Sequence, residues 1–162
     1  MNYRVIAAAI AQFALVGNVY AHGNEPHDAR PYDGARAIQT PFGIAGDPKR
    51  ATRTIVVGMR DTMRFAPDEL TVAQGETVRF VVRNNGKLLH EMVLGTATDL
   101  AKHAELMRKF PDMEHDEPHM VHVKPTGEGE IVWTFNRAGE FQFACLIPGH
   151  FESGMIGKVS VR

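Results

Sequence analysis

Cys145 is the only cysteine in the chain, and it opens a short loop that holds two other soft ligands. Four residues separate it from His150, and four more separate His150 from Met155. A thiolate, an imidazole and a thioether this close select copper among the common metals. The blue-copper donor set is two histidines, one cysteine and a weak axial methionine. The loop supplies three of the four, so the second histidine must come from elsewhere. His90 is the candidate. It opens the stretch His90-Glu-Met-Val-Leu94, where a period of two puts His90, Met92 and Leu94 on one face and Glu91 and Val93 on the other. The apolar partners of His90 point it toward a core.

The elements that would position these residues are strands. Thr54-Ile-Val-Val57, Leu70-Thr-Val72 and Thr77 to Arg83 are short and β-branched, and Val78, Phe80 and Val82 share a face. Phe65-Ala-Pro67-Asp68, Gln74-Gly75-Glu76 and Asn84-Asn85-Gly86 read as turns. Downstream, Ile131, Trp133 and Phe135 alternate inward. Phe141, Phe143 and Cys145 share one face, as do Met155, Gly157, Val159 and Val161. Each strand-borne candidate ligand is thus in phase with the apolar side of its strand. Between Thr98 and Phe110 the period changes: Leu100, His103, Ala104, Met107 and Phe110 recur every three or four residues. That spacing predicts a helix on the outside of the fold, capped by Thr98 or Asp99 and stopped by Pro111. Seven or eight strands with regular turns and one inserted helix predict an all-β fold, a Greek-key sandwich or barrel.

Composition bounds the function. The formal net charge of -1 argues against a nucleic-acid partner. Residues 1–21 read as a signal peptide: Arg4, an Ala-rich apolar run, then Val19-Tyr-Ala21. That run is too short for a membrane span, and no later run is long enough for one. The expected location is therefore the periplasm, with no membrane contact after cleavage. A lone thiol in an oxidising compartment is a liability that metal ligation would remove. Residues 22–50, rich in Gly, Pro, Asp and Ala, are expected to form a flexible N-terminal arm ahead of a domain over 51–162.

The chain resembles the cupredoxin family over roughly Thr54 to Arg162. The resemblance runs through Phe65-x-Pro67-x-x-Leu70-x-Val72-x-x-Gly75-Glu76, Asn85-Gly86-x-x-x-His90 and Phe141-x-Phe143-x-Cys145-x4-His150-x4-Met155. It is similar to the small periplasmic members that resemble plastocyanin and azurin, the copper-tolerance cupredoxins among them. The resemblance implies that His90, Cys145, His150 and Met155 are type 1 copper ligands and that one such copper is the cofactor. In two places the chain departs from the family pattern: the Cys145 to His150 loop is longer than plastocyanin's, and Glu91 stands where plastocyanin and azurin have Asn.

Two roles follow from this reading. One is copper handling for tolerance, by binding, sequestering or oxidising Cu(I). The other is electron transfer, with a redox partner docking on the apolar surface around His150. An enzyme built on a cysteine nucleophile would need an exposed, activated thiol, and this one faces inward. Pro111 to Lys124 favours copper handling, because His115, His119, Met120 and His122 crowd a loop that runs into a strand near Met120. These residues, with His22 and His27 of the arm, are candidates for secondary, weakly bound copper. The alternative for both groups is a solvated surface with incidental histidines.

Overall fold

The structure is a computed structural model that describes residues 32–111, 113 and 116–162. The signal-peptide assignment, His22, His27 and His115 lie outside the described residues. The elements in chain order are β1 (Ile44–Ala45), β2 (Arg53–Arg60), β3 (Arg64–Ala66), β4 (Glu69–Val72), β5 (Thr77–Asn84) and β6 (His90–Gly95). They continue as α1 (Ala97–Lys109), β7 (Met120–Val123), β8 (Glu128–Thr134), β9 (Gly139–Ala144) and β10 (Ile156–Val161). Two five-stranded sheets face each other, in the orders β1-β8-β5-β2-β3 and β4-β10-β9-β6-β7. The sandwich expected from alternation and turn spacing is the fold observed. Among the described residues the strands number ten rather than seven or eight, because β1 and β3 are too short to show a period.

The core between the sheets is built from the predicted inward faces. Val78, Phe80 and Val82 of β5 are fully buried, and so are Trp133, Phe143 and Val159 to within 1%. Each buried aromatic or branched side chain of this size stabilises the fold by about 1.5–3 kcal/mol relative to exposure. β6 differs from the other strands in being buried at every position. Met92 and Leu94 face the inter-sheet core, whereas Val93 packs outward against Leu100, Ala104 and Met107 of α1. The inserted helix therefore lies on the outside of the sandwich, as its period predicts, and it seals the outer face of the strand that begins with His90.

Two local expectations are corrected. The helix begins two residues early: Thr96 is the N-cap, accepting a hydrogen bond from Asp99 N and donating to Asp99 Oδ2. This reciprocal pair is available at Thr96 because only there is the acid three residues on. Phe110, counted on the apolar stripe, is 58% exposed, since it lies beyond the last helical turn.

The expected arm over 22–50 is also not free of the domain in its C-terminal part. Ile44 and Ala45 pair with Thr134 and Trp133 of β8. Phe42 is 6% exposed and stacks on Trp133 with ring centroids 5.3 Å apart, and the Trp133 indole N–H donates to Phe42 O. A large aromatic ring has more to gain from core burial than its Pro- and Gly-rich surroundings have from remaining solvated.

Candidate metal centre

Three loops at one end of the sandwich assemble the site. The first joins β5 to β6. Asn84 is 2% exposed, and its amide nitrogen donates to Leu88 O and Val123 O while its oxygen accepts from Gly86 N. This buried Asn turn sets where His90 starts its strand.

The second loop runs from Cys145 to Met155. Gly149 and Gly154 adopt φ of +87° and +82°, which only glycine enters without strain. They let the backbone fold on itself, with Met155 N donating to His150 O and Cys145 N donating to Met155 O. Arg64 of β3 donates to Ser153 O and pins the outer rim. The third loop joins β2 to β3 and carries Asp61.

His90, Cys145 and His150 converge, with one ligand atom from each lying within 4.8 Å of the others. Cys145 Sγ is 3.3 Å from His150 Nδ1, and the two imidazole centroids are 4.8 Å apart. Cys145 and His90 are fully buried, whereas His150 is only half-buried. Burial pushes the Cys145 thiol up to about 12, although the backbone N–H groups of Glu91 and Ile147 directed at the sulfur pull the other way. The sulfur therefore stays protonated unless a cation is present, and a coordinated cation deprotonates a thiol outright. Burial also pulls His150 below the ordinary imidazole range, and the neighbouring His90 adds to this. A neutral imidazole is the form that binds a metal.

His90 carries the clearest sign of a missing partner. Its Nε2 is 3.1 Å from Asp61 Oδ1, but its Nδ1 is buried with no hydrogen-bond partner. An orphaned buried polar atom is costly. Here it belongs to the same cluster as a thiol and a second imidazole, and the two-nitrogen, one-sulfur set is the donor chemistry of copper. The residues fit that ion. Met155, the fourth expected ligand, is fully buried in the same core cluster as Cys145.

Two carboxylates complete the surroundings. Asp61 accepts from Lys87 N at 2.8 Å and Leu88 N at 3.2 Å besides facing His90. The Lys87 N–H is the largest influence holding its carboxyl below the usual range. Gly86 is what admits it, since a Cβ there would lie 2.0 Å from Asp61 Oδ1. Glu91 is 0% exposed; its Oε1 accepts from Leu146 N at 2.7 Å, and its Oε2 lies 2.7 Å from His122 Nε2. That contact raises His122 above the ordinary imidazole range. Neither role was visible beforehand. Asp61 sits in an unremarkable turn, and the pairing of Glu91 across strands needed the β6–β7 register, which sets Glu91 opposite His122.

The secondary copper candidates among the described residues do not meet in one place. Met120 is 5% exposed in the apolar cluster under α1. His119 packs edge-on against Phe42 and Trp133. His122 pairs with Glu91 on the outer face of the sheet. The pleat sends successive side chains to opposite faces, so it parts His119 from Met120 and His122, which share the outer face.

The donor set agrees with three comparisons. Residues 52–162 match the model of the copper-binding plastocyanin/azurin family. The copper-resistant cuproprotein CopI of Rubrivivax gelatinosus is 50% identical over 157 residues, covering 97% of this chain and 93% of the relative. The protein of the same name from Pseudomonas aeruginosa is 36% identical over 150 residues, 75% of this chain and 82% of that one. Among solved structures, reduced auracyanin from Roseiflexus castenholzii superposes with a TM-score of 0.59 at 24% identity, over 69% of this chain and 98% of its own, a likeness of fold. With a matching sandwich, a converged His-Cys-His cluster and relatives across nearly its whole length, the chain belongs to the copper-binding plastocyanin/azurin family.

Proposed function

We propose that this protein handles copper in the periplasm for copper tolerance, holding one type 1 copper through His90, Cys145, His150 and Met155. The observation that carries the reading is the buried, unpartnered Nδ1 of His90 in one cluster with the Cys145 sulfur and the His150 ring. The curated relatives are named for copper resistance, which supports tolerance as the physiological role. Copper bound there supplies a one-electron couple between Cu(I) and Cu(II). The chain's own contribution is to present two imidazoles and a thiol from a packed framework. Close packing on both faces of β6 restrains how far His90 can shift between the two oxidation states.

Electron transfer to a partner protein is the second reading. It is favoured by the half-buried ring of His150, flanked along the chain by Ile147, Pro148 and Phe151, and by the exposed Leu88 and Leu89 in the loop that leads into His90. An apolar rim around a solvent-reaching ligand suits transient docking.

The visible absorption spectrum of the copper-loaded protein tests the assignment. A strong thiolate-to-copper band that vanishes in Cys145→Ser supports it, and a wild-type protein without such a band sinks it. Copper stoichiometry and growth of a deletion strain in copper separate tolerance from shuttling. Oxygen consumption with Cu(I) as substrate tests the cuprous oxidase variant of the reading.

A further inference from the structure

We propose that Asp61 is the positioning residue of the metal centre, holding His90 in the one ring tautomer and orientation that leaves Nδ1 free for the ion. The inference rests on His90 being a ligand. It goes beyond that reading because nothing about the ligand set requires a carboxylate behind this histidine.

The geometry is specific. A neutral imidazole has one N–H and one acceptor nitrogen, and the partner of one nitrogen fixes the state of the other. Asp61 Oδ1 lies 3.1 Å from Nε2, so Nε2 is the donor and Nδ1 keeps its lone pair. An aspartate accepts only, which excludes the opposite tautomer. Nδ1 has no other partner, and His90 has no exposure, so water cannot set the tautomer in its place.

Asp61 is itself over-determined. It takes two backbone N–H bonds from the loop that leads into His90, at Lys87 and Leu88. Gly86 leaves the room it needs, because any side chain at that position would collide with the carboxylate. One carboxylate thus ties the β2–β3 turn, the β5–β6 loop and the first ligand together. Ligand-orienting partners of this kind change metal affinity by about 10–100-fold when removed.

The experiment reads the His90 ring directly. Ring 15N shifts of the metal-free protein at a pH where the imidazole is neutral are expected to show a single tautomer protonated at Nε2. In Asp61→Ala that tautomer gives way to a mixture, and Cu(II) affinity falls by about 10–100-fold. Asp61→Asn keeps one acceptor oxygen for three donors, so its tautomer shift and affinity loss are expected to be smaller; it serves if the alanine variant does not fold. A wild-type ring protonated at Nδ1 overturns the proposal without any variant. So does a folded Asp61→Ala protein that keeps the pure Nε2–H tautomer, or one whose affinity stays within about twofold. A purely structural Asp61 would lower the melting temperature and leave the tautomer unchanged. If the wild-type protein shows no thiolate-to-copper band, the copper reading fails, while the tautomer result still stands or falls separately.

Discussion

Removing Glu91 is expected to loosen the cysteine loop before any metal is involved. The carboxylate is fully buried, accepts the Leu146 N–H at 2.7 Å, and lies 2.7 Å from His122 Nε2. Glu91→Ala strands the Leu146 N–H, and an unsatisfied buried donor costs about 1–3 kcal/mol. The lost contact to His122 adds about 1 kcal/mol, because that ring is 28% exposed and recovers part of its hydration. The sum is roughly 2–4 kcal/mol, a fall in melting temperature of about 8–16 °C for a domain of this size.

Glu91→Gln keeps an oxygen for Leu146 but removes the charge facing His122. The pH dependence then has a definite sign. Glu91 is the main influence raising folded His122 above the ordinary imidazole value of 6.5, with Asp116 adding to it. A raised folded pKa contributes stability fully below 6.5, and that contribution is lost as pH rises through the folded value. The gap between wild type and Glu91→Gln should therefore be widest near about pH 5.5 and nearly closed by about pH 9. Thermal melts of the reduced, copper-free proteins at the two pH values measure it. An alanine variant within about 1 kcal/mol of wild type would refute the clamp, and a glutamine gap independent of pH would refute the charge argument.

Three further outcomes test other parts of the fold and site. Phe42→Ala removes a ring stacked on Trp133 at 6% exposure and should cost about 3 kcal/mol in a denaturant melt, whereas a detached arm would cost nothing. Gly157→Ala places a Cβ 2.1 Å from Phe143 Cζ, beneath the copper end of β9, and should lower stability by about 1–3 kcal/mol in the same assay. Stripping copper should lower the melting temperature, since an ion that binds only the folded state at about 100 times its Kd contributes about 2.7 kcal/mol; a calorimetric scan checks this, and equal melting with and without the ion would contradict it.

The converged cluster of His90, Cys145 and His150 was legible because the candidate residues are rare and their strands are in phase. One cysteine, a His and a Met at regular intervals, and a His opening an apolar strand need no knowledge of partners. The inward placement of Cys145 followed from Phe141 and Phe143, and the structure buries all three. What periodicity could not give was anything set by pairing between distant segments. Phe42 belongs to the core through its contact with Trp133, 91 residues away. Asp61 serves His90 across 29 residues, and Glu91 serves Leu146 across 55. The described part of the histidine cluster shows the complementary effect. Neighbours along the chain face opposite sides of the sheet, so His119 turns to Phe42 and Trp133, while Met120 and His122 stay on the outer face, one in the apolar cluster under α1 and the other against Glu91.

β6 shows why the site and the helix belong to one design. A strand in this sandwich ordinarily has one wet face, yet all six residues of β6 are buried. Its core face carries His90, and its outer face carries Glu91 and Val93. Without α1 over Val93, and without β7 bringing His122 to Glu91, the outer face would open to water. The Glu91 carboxylate would then be solvated and would compete poorly for the Leu146 N–H. The helix therefore acts on the copper end of the molecule through β6, by keeping dry the strand that joins the first histidine to the cysteine loop.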